Sequence, residues 1–151
     1  MAVNGFDFSV DATGEIIIDP KTYDITKISD TELKIQLAFL RLKSCVNEWF
    51  YDNVGANLEE LIGRAAKPST IEVGKSRIIE VLTYDELWDE KDLFVQSIIE
   101  NATKLTYAIY FRIETNDEFG ETSKTIYIDL DLVKGVKVKY GWDNKNHYVF
   151  Q

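Results

Sequence analysis

The chain has 151 residues, with 17 Lys and Arg against 26 Asp and Glu and a net charge of −9. That length sets a prior of one domain with a sizeable core, and 45% apolar with 28% charged residues is a globular composition rather than a disordered one. The charge argues against wrapping nucleic acid or lying on an anionic membrane. One Cys excludes an internal disulfide, and one His excludes a multi-His metal site.

Phe6, Phe8 and Val10 alternate ahead of Asp11-Ala12-Thr13-Gly14, and Ile16 to Ile18 follow, so an N-terminal hairpin is expected. Tyr23 to Ile28 adds one more extended piece. Ser29-Asp30-Thr31-Glu32 has the form of a capping box. A helix follows, with Leu33, Leu37 and Leu40 on one stripe, widened by Ile35, Ala38, Phe39, Leu42, Cys45 and Val46. An apolar surface that broad implies contacts on more than one side. Asn47 is a left-handed stop, and Asn57 to Gly63 suits a short second helix ended by its glycine. Ser69-Thr70-Ile71-Glu72 repeats the capping box after Pro68 and opens a third helix running to about Thr83.

After the acidic connection Tyr84 to Asp92, the period changes to two. Leu93 to Glu100 is a strand. Leu105, Tyr107, Ile109, Phe111 and Ile113 form one face of the next, and Thr125 to Leu132 is the third. The segment from Gly135 to Gln151 carries Tyr140, Trp142, Tyr148 and Phe150 with three lysines, which fits either a packing arm or a final strand. The expected fold is α+β: an N-terminal hairpin, three helices, an antiparallel sheet of about three strands and a C-terminal arm. No span of the chain is apolar enough to cross a bilayer, and no secretion signal opens it. Folding in a reducing cytosol is therefore expected.

Motifs with catalytic meaning are few. Gly74-Lys75-Ser76 lacks the upstream glycine of a phosphate-binding loop and falls inside a helix. Cys45 lies on the apolar face of the first helix, with the only histidine, His147, far along the chain. Asn101-Ala102-Thr103 reads as a polar turn. Abundant carboxylates leave glycoside hydrolysis open, with Glu48 beside Trp49 as the acid and Asp52 as its partner. The alternative for that pair is a solvated, helix-terminating turn. No cofactor or metal is expected.

The stretch from Ile25 to Gly63 is the most informative. It holds Gln36-Leu37 and Leu40-Arg41-Leu42-Lys43, then Asn47-Glu48-Trp49-Phe50-Tyr51-Asp52, then Gly55, Leu58 and Leu61-Ile62-Gly63. This resembles the baseplate wedge and sheath-initiator family of contractile tails, the gene product twenty-five-like proteins of phages, R-type bacteriocins and type VI secretion. Asn47 stands where a Gly is common in that family. Thr83-Tyr84-Asp85-Glu86-Leu87 lacks the Glu-Pro-Arg that some members carry at this junction. The resemblance covers residues 6–133. It implies a wedge and sheath-initiator domain over 29–133 after an N-terminal hairpin or arm over 1–28, and the composition of 134–151 adds an aromatic-basic C-terminal arm.

It further implies a structural, non-enzymatic subunit of a virion or tail-like particle, assembled in the bacterial cytoplasm. Six copies would ring the tail tube or hub, touching other wedge proteins and templating the sheath protein by strand addition. The strands Leu105 to Ile113 and Thr125 to Leu132 would present or flank the receiving edge, or else be interior strands of a stable sheet. Thr125, Tyr127, Asp129, Asp131, Tyr107 and Phe111 are the residues expected to meet the sheath. Leu33, Leu37, Leu40, Trp49 and Phe50 are those expected to pack the wedge, with ordinary core packing as the alternative. Members of the family have also been labelled lysozyme-like, which keeps a peptidoglycan-degrading enzyme using Glu48 and Asp52 as the rival reading.

Overall fold

The computed structural model describes residues 6–11, 13, 15–44, 55–114 and 121–141. Its N-terminal part is a small meander rather than one hairpin. Strand β1 (Phe6–Phe8) pairs antiparallel with β2 (Lys27–Ser29), and bridges Val10 to Ile16 and Ile18 to Ile25 fill the space between. Three backbone bonds close a ring at its centre. Ser9 N–H donates to Thr26, Thr26 to Ile17 and Ile17 to Ser9, over 2.7 to 2.9 Å. The expected turn at Asp11 is present: its Oδ1 accepts from the N–H groups of Thr13 and Glu15, as an aspartate-led turn requires.

Helix α1 (Asp30–Lys43) turns Ile35, Ala38, Phe39 and Leu42 inward at helical spacing. The side chains of Ser29 and Asp30, and residues 45–54 beyond the helix, lie outside the described residues. The expected second helix is instead a single 3₁₀ turn, Leu58–Leu61. Asn57 at φ 51° starts it and Gly63 at φ +94° ends it, so only the tighter i to i+3 bonds fit between them. Helix α2 (Pro68–Thr83) begins one residue before the expected capping box, with Pro68 preset for the first turn and Ser69 exposed. Thr70 supplies the polar anchor there, its hydroxyl donating to the Ala65 carbonyl at 2.7 Å.

The sheet has four antiparallel strands in the order β3 (Leu93–Asn101), β4 (Lys104–Glu114), β5 (Glu121–Asp131) and β6 (Gly135–Tyr140). The fold is therefore α+β, with two α-helices and a main sheet of four strands among the described residues rather than three helices and about three strands. In the segment 134–151, where either a packing arm or a final strand is expected, Gly135–Tyr140 form the strand β6, and residues 142–151 lie outside the described residues. Val136 and Val138 alternate with Lys137 and Lys139, and the chain reverses at Val133-Lys134 to lay that pattern beside β5. The core lies on one sheet face, where Leu105, Tyr107, Ile109, Phe111, Ile126, Ile128, Leu130 and Val138 meet both helices. Leu87 and Trp88 plug the junction between α2 and β3, and Trp88 packs on Phe111 at 4.8 Å.

Candidate functional site: the outer face and open edge of the sheet

Because side chains alternate across a strand, the face opposite the helices is also determined by register. It carries Phe94, Gln96, Ile98 and Glu100 from β3, then Thr106, Ala108, Tyr110 and Arg112 from β4. Thr125, Tyr127, Asp129 and Asp131 follow from β5, and Lys137 and Lys139 from β6. Its centre is a polar ladder. The Lys139 ammonium sits 2.7 Å from Asp129 Oδ2, and Thr106 Oγ1 lies 3.1 Å from both Asp129 Oδ1 and Glu100 Oε1.

Four of the six expected sheath-contact residues share this face. Thr125, Tyr127, Asp129 and Asp131 all point outward from β5, which has β4 along one side and, over Ile126 to Asp131, β6 along the other. Asp129 belongs to the polar ladder, and two more have local work. Asp131 Oδ1 accepts from the N–H groups of Val133 and Lys134 at 3.0 and 3.1 Å and so builds the turn into β6. Those two bonds, with help from Lys104 and Lys134, hold its carboxyl below the usual aspartate pKa. The Thr125 carbonyl accepts from the N–H of Gly141, where a Cβ would run into the Tyr127 ring.

Tyr107 and Phe111 are corrected outright, for both are core residues. Tyr107 pairs in register with Ile128, so parity places it on the helix side. Its hydroxyl donates to the Ile71 carbonyl at 2.9 Å, against Gly74 of α2. Burial first, and Glu72 second, push the phenol up to about 12.

The wedge-packing set divides in the same way. Leu33 is buried, while Leu37 and Leu40 are half-buried, with Leu37 packed against the rim of the core. Trp49 and Phe50 lie outside the described residues, as do Glu48, Asp52, Cys45 and His147. Two residues of the informative stretch gain structural roles. The Gln36 amide donates to the Phe8 carbonyl and accepts from Val10 N–H, both at 2.9 Å, so it clasps the N-terminal meander to α1. The Arg41 guanidinium donates to the carbonyls of Val81 and Tyr84 at 3.0 and 2.8 Å, closing the C-terminal end of α2.

Sequence reasoning missed the edge itself. β3 has β4 on one side and no strand on the other among the described residues. Phe94 is 64% exposed and Ile98 54% on the outer face, and Ile99 is 46% exposed on the helix side. Consecutive Ile98 and Ile99 break the alternation of a half-buried strand, which was the available signal.

A second feature is a recess of about 240 Å³ lined by Thr31, Lys34, Trp88, Asp92, Arg112 and Ile113. The Lys34 ammonium sits 4.2 Å above the Trp88 ring, and burial lowers its pKa against the opposing pull of Asp92. Arg112 grips Asp92 Oδ1 through Nε and Nη2 at 3.1 and 2.8 Å. Among the described residues no group of three His, Cys, Asp or Glu is placed to hold a metal ion. Comparison of the chain with protein-family models, with curated proteins and with solved structures finds no match.

Proposed function

We propose that this chain is a structural baseplate wedge subunit of a contractile tail or tail-like injection particle, whose sheet templates the first sheath subunits by strand addition. The observation that supports it most is the β3 edge, nine residues long and with no strand beside it on one side among the described residues, with large apolar side chains exposed on both faces. Monomers blunt such an edge with charge, proline or a bulge, because it is a template for another chain. The only irregularity recorded in the β3–β4 pairing falls at Ile99 to Asn101, next to the turn. Leu93 to Ile99 stay in continuous register.

In an antiparallel ladder alternate residues direct both backbone groups to the same side, so about four residues of β3 can pair with an incoming strand. That strand would also cover Phe94, Ile98 and Ile99, each worth about 1 kcal/mol given their partial exposure. Strands β4 and β5 flank and stiffen this edge rather than present it. Six copies around the tail tube or hub would repeat the edge once per subunit, alongside the other wedge proteins. The half-buried Leu37 and Leu40 flank of α1 is the surface offered to those neighbours.

The test is assembly in the producing cell with Ile98 and Ile99 both replaced by lysine, both being exposed and outside the core. Electron microscopy should then find tubes on baseplates without attached sheath, while the purified variant keeps its wild-type circular dichroism. Normal sheaths on the variant baseplate would reject β3 as the template.

A further inference from the structure

We infer that the strand which fits the β3 edge is a basic one: an extended arm of another protein in which lysine or arginine flanks alternating apolar residues. This rests on the strand-addition reading above and adds the chemistry of the partner.

The two edges of the sheet have opposite charge. From Tyr84 to Glu100 the chain holds Asp85, Glu86, Asp89, Glu90, Asp92 and Glu100, against Lys91 alone. Glu90 stands just before β3 and Glu100 near its end, both exposed, so acids bracket the segment Phe94 to Ile99 with its exposed Phe94, Ile98 and Ile99. At the other edge, Lys134, Lys137 and Lys139 accompany β6, with no acid from Leu132 to Gly141. Like charges directly opposite one another destabilise a strand pair, and opposite charges stabilise it. Pairing two copies through β3 would set acid-bracketed strands side by side. An incoming acidic strand would meet the same repulsion.

A basic strand gains at both ends, whichever way it runs, because acids flank both ends of β3. Strand β6 of a second copy has the right sign but suits the edge less well. It is six residues long against nine, and its Lys139 is already drawn back onto Asp129 at 2.7 Å. A free arm has neither restriction.

The probes are two synthetic nine-residue peptides with the same alternating Val and Thr centre, one flanked by lysines and one by glutamates. Their binding to the full chain is followed by fluorescence anisotropy in low and high salt. The lysine peptide should bind about fivefold more tightly at low salt, and the margin should shrink as the Debye length falls from ~10 Å at 0.1 M to ~3 Å at 1 M. Glu90→Lys with Glu100→Lys should reverse the preference. Equal binding of the two peptides would overturn the charge rule and leave strand addition standing. Failure of both to bind up to about 1 mM, a ceiling near −4 kcal/mol, would overturn strand addition at this edge, and the charge rule with it. Sedimentation of the chain alone gives the last arm. Salt-sensitive self-association abolished by Lys137→Glu would hand the edge to β6 of a second copy and overturn the assignment to another protein.

Discussion

The N-terminal meander and the four-stranded sheet use the same sequence device, apolar residues at alternate positions, and reach different kinds of stability. In the sheet, alternation delivers one continuous face to the helices, so Tyr107, Ile109, Phe111, Ile126 and Ile128 are fully enclosed. In the meander several apolar side chains stay uncovered among the described residues. Ile18 is 59% exposed and Tyr23 84%, while the described backbone is held by the Ser9, Ile17 and Thr26 ring and by aspartate-led turns. Alternation therefore specifies which residues share a face. Whether that face becomes a core depends on what packs above it.

The sharpest way to break the contrast is inside the sheet. Phe111→Ala removes a ring enclosed against Trp88 and should cost about 3–5 kcal/mol in urea unfolding. A loss below 1 kcal/mol would mean that this core is far looser than its burial implies. Next is Gly74→Ala, where the new methyl group would run into the Tyr107 hydroxyl and ring. Overpacking costs about 1–3 kcal/mol, offset by up to about 1 kcal/mol from the better helix former. A net loss is expected, and adding Tyr107→Phe should return part of it by removing the oxygen. If the two losses simply add, contact between helix and sheet at this point is not the cause.

Alkaline pH should act on the sheet before the meander. Tyr107 has its pKa raised to about 12 by burial and Glu72, and burial raises Tyr140, stacked on Phe39 at 4.3 Å, further still. The neutral phenol is the form the fold prefers. Below pH ~10, the unfolded tyrosine value, both states are protonated and stability is unaffected by these groups. Between pH 10 and 12 the unfolded chain releases protons that the folded chain keeps, so stability falls as pH rises. Unfolding midpoints measured from pH 8 to 12 should be level at first and then decline. A midpoint that rises above pH 10 would contradict the burial of both rings.

Much of this architecture is legible before any coordinates. The run Leu105 to Ile113 is a strand by its period, and α2 is a helix by its spacing, although its start was expected at the Ser69 capping box and lies at Pro68. Strand β6 was less so, because two valines among lysines and aromatics satisfy an arm as readily as a strand. The candidate site was legible only by half. Tyr107 and Phe111 were grouped with Thr125, Tyr127, Asp129 and Asp131, yet the β4–β5 register sets the two groups on opposite faces. Strand order was hidden altogether, since alternation reports a strand's faces and says nothing about which strand has no neighbour. Gln36 belongs to the informative stretch, but its partners are the backbone groups of Phe8 and Val10, and no periodicity links residues 28 and 26 positions apart.

Gln36 also provides the gentlest test of how separate the two regions are. Gln36→Leu keeps the bulk of the side chain and removes both of its hydrogen bonds, leaving Phe8 C=O and Val10 N–H without their partner on α1. Each bond is worth about 1 kcal/mol at most, because these backbone groups are only part-buried and water can replace the amide. The global unfolding midpoint should therefore move little. Amide exchange, which reports local opening, should speed up from Phe8 to Thr26 while the central amides of β4 and β5 keep their protection. Parallel loss of protection in both regions would mean that the meander and the sheet open as one cooperative unit. The Gln36 clasp would then be part of the core's stability, and the uncovered apolar side chains of the meander would not mark a separately opening region.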